Sequence, residues 1–191
     1  MRVDLGLIHY PVYNKNGQVI ASAVTNLDVH DIARAAKTYG VDTFHVVTPL
    51  RDQQVLVHEI LAHWVSGFGA RYNSKRQEAL ALVRVHDDLA SVLVEVTAKW
   101  RKRPLLLATD ARPQQQTWSF ADVRKRAEAG QELLILFGTA WGLAQEIIDQ
   151  VDGFLPPIFG PGPYNHLSVR SAAAIMLDRL MARKTEAGFD Q

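Results

Sequence analysis

Short apolar runs of strand length alternate with helical patterns along most of the chain. Val3–Ile8, Thr43–Val47 and Leu105–Ala108 are four to six residues long and rich in valine, leucine and isoleucine. Between them, apolar residues recur at the three- and four-residue spacing of a helix that buries one face. Strands that alternate with helices pair in parallel, and the helices cover both faces of the sheet. The sequence therefore predicts an α/β fold with a mostly parallel sheet.

The individual elements follow from the same patterns. The predicted strands are Val3–Ile8, Thr43–Val47, Leu82–Val85, Leu105–Ala108 and Leu133–Phe137. The predicted helices are Asp28–Tyr39, Asp52–Val65, Asp87–Trp100, Phe120–Ala129, Trp141–Gln150 and Val169–Leu180. Asn26 or Asp28 is expected to cap the first helix, and Ser168 the last. A length of 191 residues predicts one domain, 1–191, with a loosely ordered tail after Arg183.

Composition excludes several classes of protein. The chain has no cysteine, which rules out disulfides, thiolate nucleophiles and cysteine zinc sites. It has no signal-peptide pattern at its start and no apolar run long enough to span a bilayer, so a cytoplasmic location is the expectation. The net charge is +1, and the basic residues cluster locally. These clusters are Lys99–Arg103, Arg124–Arg126 and Arg71 with Lys75 and Arg76.

Known catalytic motifs are absent. His58 and His63 lie five residues apart in HEILAH, whereas a zinc-protease helix needs a spacing of four, so no metal is predicted. The phosphate-binding GxxxxGK[ST], the GxSxG nucleophile elbow and the GxGxxG dinucleotide fingerprint do not occur. Serine-hydrolase and kinase activities therefore have no support.

The segment DGFLPPIFGPGPYNHLS is the strongest candidate for a ligand-binding loop. Ligands of open α/β sheets bind beyond the carboxyl ends of the strands. That rule points to His9–Asn16, Thr48–Arg51, Thr109–Pro113 and Gly138–Leu143. The loop joins them if it folds back over the edge of the sheet. A stiff loop loses little entropy on binding, and glycine lets a ligand approach the backbone. Free N–H groups at the start of the helix that Ser168 caps favour an anionic group there.

Three segments carry a resemblance to a known class of enzymes. FGTAWGL and PPIFGPGPYNHLSVRSAAAI resemble the last two signature segments of the SPOUT, or α/β-knot, RNA methyltransferases. Arg34 and Gly40 have the spacing of the first segment in the ribose-methylating branch, although Asn26 lies two residues further from Arg34 than the Asn of that branch. HYPVYNKNG and AVTNLDVHDIARAAKTYGV resemble a stand-alone bacterial family of this class, from Val3 to about Ala182.

This resemblance implies a C-terminal trefoil knot, a homodimer, S-adenosylmethionine as cofactor, and tRNA or rRNA as substrate. The implied cofactor-binding residues come from three loops and are Thr109, Phe137, Gly138, Thr139, Trp141, Gly142, Ile158, Gly160, Tyr164, Asn165, Leu167 and Ser168. The implied catalytic residues are Arg34, Asn165, His166 and Arg170. Arg34 would orient or activate the RNA nucleophile, from its own subunit or from the partner. Asn14 or Asn26 would shape the entrance.

The chain also departs from the class. Gly138–Leu143 lacks the Asn-Glu-Gly type sequence of the ribose-methylating branch, and His166 stands where that branch usually has Asn. No acidic residue occurs between Gly153 and Ser171, so the acidic base of the base-methylating branch has no counterpart there. Two alternatives stay open on the sequence: a knotted cofactor- or RNA-binding protein with little catalytic activity, and an unknotted enzyme that acts on a nucleotide or sugar phosphate.

Overall fold

The structure, a computed structural model, describes residues 1–182 of the 191-residue chain. Its strands are β1 (Val3–Ile8), β2 (Val12–Tyr13), β3 (Val19–Ile20), β4 (Thr43–Val47), β5 (Val83–His86), β6 (Leu105–Ala108), β7 (Leu133–Gly138) and β8 (Gly153–Phe154). Six of them form a parallel sheet in the order β5-β4-β1-β7-β6-β8, and β2 pairs with β3 in a separate antiparallel hairpin. The prediction of a parallel α/β fold is confirmed, and the predicted tail lies outside the described residues.

Helices connect most of the strands of the large sheet. They are α1 (Asn26–Tyr39), α2 (Arg51–Leu61), α3 (Phe68–Tyr72), α4 (Ser74–Leu80), α5 (Leu89–Trp100), α6 (Phe120–Glu128), α7 (Gln145–Ile148) and α8 (Val169–Met181). The helix predicted over Asp52–Val65 stops being α-helical at Leu61 and continues as a π-helical turn, Ala62–Ser66.

The helix predicted over Trp141–Gln150 is wrong for its first half. Residues 139–144 form an irregular turn, and only Gln145–Ile148 is helical. Ala140 and Gly142 have φ angles of 51° and 106°, which a right-handed helix does not allow. The backbone N–H of Trp141 and the carbonyl of Gly142 instead bond to Tyr13 of β2, so tertiary hydrogen bonds replace helical ones.

Of the two predicted helix caps, the one for α8 is confirmed and the one for α1 is wrong. Ser168 caps α8 as predicted, and its side chain accepts a hydrogen bond from the N–H of Ser171. The cap of α1 is Thr25 and not Asn26 or Asp28, because Thr25 has the extended backbone of a cap and accepts from the N–H of Asp28.

Two apolar cores lie on opposite faces of the sheet. On one face, α1, α2, α4, α6 and α8 contribute buried side chains such as Ile32, Val123 and Leu177. On the other face, α5 and α7 contribute Val92 and Ile147. Coverage of both faces explains why the strands lack the alternation of polar and apolar residues that a half-exposed sheet would show.

The trefoil knot and the single domain over 1–191 stay predictions. Within residues 1–182, no helix has the length and apolar character needed to cross a membrane.

Candidate active site

A cleft of about 780 Å³ opens at the carboxyl end of the central strands. Its walls come from the segments after β6 and β7, from the loop before α8, and from the start of α1 with the residues just before it. Its lining residues are Ser22, Ala23, Thr25, Asp28, Thr109, Asp110, Ala111, Arg112, Phe137, Gly138, Thr139, Ala140, Trp141, Gly142, Ile158, Asn165, His166, Leu167, Ser168, Val169, Arg170, Ala172 and Met176. The volume falls within the range of about 300–1,000 Å³ typical of small-molecule sites.

Most of the residues predicted to bind a cofactor or to act in catalysis meet in this cleft. Those that line it are Thr109, Phe137, Gly138, Thr139, Trp141, Gly142, Ile158, Asn165, His166, Leu167, Ser168 and Arg170. Three do not. Gly160 and Tyr164 lie on the loop outside the lining, and Tyr164 is 76% exposed. Arg34 is exposed on α1 and also lies outside it.

The turn after β7 brings backbone atoms close to the cleft. A Cβ added to Gly138 would lie 3.0 Å from both the backbone N and the Cγ of Leu143, so a larger residue would push this turn open. At Gly142, a φ of 106° favours glycine directly. The β2–β3 hairpin holds this turn in place, because β2 and the residue before it form backbone hydrogen bonds with residues 141–144. The turn therefore forms a closely packed wall of the cleft.

The loop before α8 closes the opposite wall. The side-chain amide of Asn165 donates to the carbonyl of Ala111 at 2.6 Å and so ties this loop to the segment after β6. Ser168 and Val169, the cap and first residue of α8, also line the cleft. The positive end of the α8 dipole therefore faces the cleft and favours a negatively charged ligand group. Gly160 makes no comparable approach, since a Cβ there would meet no atom within 4 Å.

Asp28 is a cleft residue that the sequence indicated only as a possible helix cap. Its carboxylate accepts hydrogen bonds from Thr25 Oγ1 at 2.6 Å and from Arg170 Nη1 at 3.1 Å. Asp28 stands six residues before Arg34, which is the spacing that the resemblance gives to its Asn. Asn26, by contrast, is exposed and outside the lining. The spacing of the family segment therefore indicated position 28, where this chain has Asp in place of Asn.

A second carboxylate, Asp110, lies in the segment after β6. It accepts hydrogen bonds from the backbone N–H of Arg112 at 2.8 Å and from the Arg112 guanidinium at 3.1–3.2 Å. These hydrogen bonds, followed by the charge of Asp110, raise the pKa of Arg112. Both arginines of the cleft, Arg112 and Arg170, are thus paired with a neighbouring acid.

His9 lies behind the cleft wall at the end of β1. Its Nδ1 is 2.9 Å from Ser22 Oγ, which lies 2.6 Å from Thr139 Oγ1. Thr139 in turn donates to the carbonyl of Ile8 at 2.9 Å. Burial lowers the pKa of His9 to about 4, against the attraction of Asp28, so the ring is neutral at pH 7. This chain of polar groups fixes the two cleft residues Ser22 and Thr139.

The basic clusters do not converge on the cleft. Lys99 points inward, where its Nζ lies 2.7 Å from the buried carboxylate of Asp4. Arg101–Arg103 and Arg124–Arg126 follow or end α5 and α6, which run back to the amino edge of the parallel sheet. An RNA bound by these clusters would therefore lie on a surface away from the cleft of the same chain. The third cluster, 71–76, lies on α3 and α4, outside the lining.

Comparison with known proteins identifies the family. A family model described as SAM-dependent RNA methyltransferase matches residues 2–182. The chain belongs to this family. A relative, an uncharacterized protein of Aquifex aeolicus, is 37% identical over 95% of this chain and 89% of its own length. A tRNA (guanine-N(1)-)-methyltransferase of Oleidesulfovibrio alaskensis is 41% identical over 92% of this chain, which spans only 41% of that relative's length.

Solved structures of methyltransferases share the fold. The SpoU methyltransferase AviRb from Streptomyces viridochromogenes, solved in complex with the cofactor AdoMet, has a TM-score of 0.59. Its sequence is 16% identical, and the match covers 94% of this chain and 58% of that one. At this identity the likeness establishes the fold alone. The fold and the family together confirm the resemblance to S-adenosylmethionine-dependent RNA methyltransferases.

Proposed function

We propose that this chain uses the cleft to transfer a methyl group from S-adenosylmethionine to a nucleotide of tRNA. The observation that carries the proposal is the convergence of the three segments expected to bind the cofactor on one cleft, in a chain of this methyltransferase family. The choice of tRNA rests on the relative that is named a tRNA (guanine-N(1)-)-methyltransferase.

The residues of the cleft fit the cofactor. Phe137, Ile158 and Met176 supply apolar surface for an adenosine group, and Gly142 leaves room beside the turn because it has no side chain. The start of α8 at Ser168 suits the carboxylate of the methionine part. When bound, S-adenosylmethionine supplies an electrophilic methyl group on a positively charged sulfur.

In this proposal the chain orients the nucleophile and accepts its proton. Holding a nucleophile in line with the methyl group can supply a large part of the rate enhancement in a displacement of this kind. A nucleophile that carries a proton, such as a ring N–H, also needs a base. Asp28 is the candidate, because it is an acid of the cleft that lies beside Arg170. Arg170 holds the carboxylate in place, while Asn165 and His166 line the path of the nucleotide.

Further parts of the proposal concern RNA and assembly. Trp141 lines the cleft and is 61% exposed, so its ring is available to stack on a nucleobase. We propose a cytoplasmic homodimer in which Arg34 enters the cleft of the partner, because Arg34 lies outside the cleft of its own chain. The C-terminal segment forms the trefoil knot, and the chain folds as one domain.

A matched pair of glycine variants tests the cofactor site. Gly142 and Gly130 both have positive φ, 106° and 92°, but only Gly142 lines the cleft. Replacement by Ala strains either position by about 1–3 kcal/mol. We expect Gly142→Ala to weaken binding of S-adenosylmethionine in calorimetry, because the bound loop must keep the strained conformation. Gly130→Ala should bind as the wild type does. Equal affinities of the two variants, or no binding by the wild type, would contradict the cofactor site.

A methyl-transfer assay tests the reaction itself. Total tRNA from a deletion strain should accept labelled methyl groups from the wild-type protein, and nucleoside analysis would then identify the modified nucleotide. Asp28→Asn should bind the cofactor but transfer far less methyl, because the amide cannot take up a proton. Cofactor and RNA binding without any transfer would favour the alternative of a binding protein with little catalytic activity.

A further inference from the structure

A row of polar residues crosses the face of the sheet that α5 covers. Asp4, His45 and His86 lie on β1, β4 and β5, and Glu95 and Lys99 lie one turn apart on α5. The row lies within the otherwise apolar core that α5 builds on this face, on the opposite side of the sheet from α1 and α8. It is therefore separate from the cleft, and the methyltransferase proposal does not use it.

Hydrogen bonds fix the orientation of the His45 ring. His45 is fully buried, and its Nε2 lies 3.1 Å from Asp4 Oδ2. Lys99 holds the Asp4 carboxylate with contacts of 2.7 and 2.8 Å. A carboxylate paired with a lysine only accepts hydrogen bonds, so His45 donates through Nε2. In a neutral His45 ring the lone pair is therefore on Nδ1, which points away from Asp4.

The Nδ1 lone pair of His45 faces two further ligand atoms. His86 Nε2 lies 3.0 Å from His45 Nδ1 and 3.4 Å from Glu95 Oε2. The three atoms lie within 4.8 Å of one another. A neutral His86 carries at most one proton on Nε2, yet this nitrogen faces two acceptors. A proton on His86 Nε2 can form a good hydrogen bond to only one of these two acceptors. A cation between the three ligand atoms can bind all three.

From this geometry we propose that His45, His86 and Glu95 form a binding site for one Zn²⁺ ion. Ligands about 2.1 Å from a tetrahedral zinc ion lie about 3.4 Å apart, close to the observed separations. Two imidazoles with one carboxylate form a ligand set that zinc commonly takes, with the fourth position left to water. Asp4 then orients a metal-binding histidine from behind, as carboxylates commonly do in zinc sites.

The site would link three elements of the fold. His45 is on β4, His86 ends the edge strand β5, and Glu95 is on α5. Glu95 has a side chain that is 43% exposed, so an ion can reach the site from solvent and this side chain can adjust. We infer a stabilising role, because a bound ion would attach the edge strand to the helix that covers it.

The test is a zinc titration of the full chain after treatment with a chelator. We expect one equivalent to bind and to raise the midpoint of thermal unfolding. Cobalt in place of zinc should give the visible absorption of a four-coordinate site. Glu95→Gln keeps the size of this half-exposed side chain and should lower zinc affinity by at least about ten-fold. His58→Gln is the matched control, since His58 is exposed on α2 and should leave affinity unchanged.

Four results would overturn the proposal, three from zinc binding and one from the cobalt spectrum. The first is the absence of saturable zinc binding by the wild-type chain at micromolar zinc. The second is the same affinity in Glu95→Gln as in the wild type, and the third is an equal loss in His58→Gln. The cobalt spectrum of the wild type decides the matter even if a variant fails to fold, because octahedral rather than four-coordinate absorption would place the ion elsewhere.

Discussion

Acid is expected to destabilise the fold through His9, the buried histidine behind the cleft wall. Burial lowers the pKa of His9 from its ordinary 6.5 to about 4 in the folded chain. The attraction of Asp28 acts in the opposite direction and does not compensate for burial. Between pH 6.5 and about pH 4, His9 is protonated in the unfolded chain but stays neutral in the folded chain. The contribution of His9 is therefore complete above pH 6.5 and is lost as the pH falls toward 4.

The size of the effect follows from the shift. Each pKa unit corresponds to about 1.4 kcal/mol. Between about pH 7.5 and about pH 4.5, His9 should lower the free energy of unfolding by about 2.5 kcal/mol. Other groups titrate over the same range, so the measurement must isolate this one.

The assay compares the wild type with His9→Asn by urea unfolding at both pH values. In the wild type, His9 Nδ1 bonds to Ser22, and the Asn side chain places a polar atom near the same position. Asn has no counterpart of Nε2, but Nε2 has no partner among the described residues. The variant carries a constant packing cost at both pH values, and groups common to both proteins cancel in the difference. The wild type should lose about 2.5 kcal/mol more than the variant on acidification. Equal losses would refute the buried, neutral state of His9.

Three further predictions use the same kinds of measurement. Ser168→Ala and Ser119→Ala each remove a helix cap and should each cost about 1 kcal/mol in urea unfolding, but only Ser168→Ala should also weaken S-adenosylmethionine binding in calorimetry. Arg34→Ala should leave cofactor affinity unchanged and abolish methyl transfer, and unchanged turnover would remove Arg34 from the site. Gly153→Ala should lower the free energy of unfolding by about 1–3 kcal/mol, because its Cβ would lie 2.5 Å from Trp118 Nε1, and an unchanged urea midpoint would contradict this packing.

The sheet and most of the cleft were predictable, for different reasons. The strands β1, β4 and β6 have the bounds expected from the sequence, because runs buried on both faces leave a clear local pattern. The cleft segments after β6 and β7 followed from the rule that ligands bind at the carboxyl ends of parallel strands. The loop before α8 followed from its composition and from the resemblance.

Other features depend on partners distant in sequence. The turn at 139–144 has helical composition but bonds to the hairpin, so a local pattern gives the wrong structure there. Asp28 resembles an ordinary first-turn acid until Arg170, 142 residues later, is placed beside it. Arg34 has the spacing of the family segment, yet a single chain leaves it outside the cleft.

The sequence by itself determined the parallel α/β fold, the class of enzyme that the chain resembles and the loops that build the cleft. These properties depend on local hydrophobic patterns and on contiguous motifs. Only the tertiary structure decided which charges meet. It paired Asp28 with Arg170, turned Lys99 inward to Asp4 and brought His45 and His86 within 3.0 Å across neighbouring strands. The physical reason is that electrostatic interactions depend on distance in space, and crossover connections bring together residues that lie far apart along the chain.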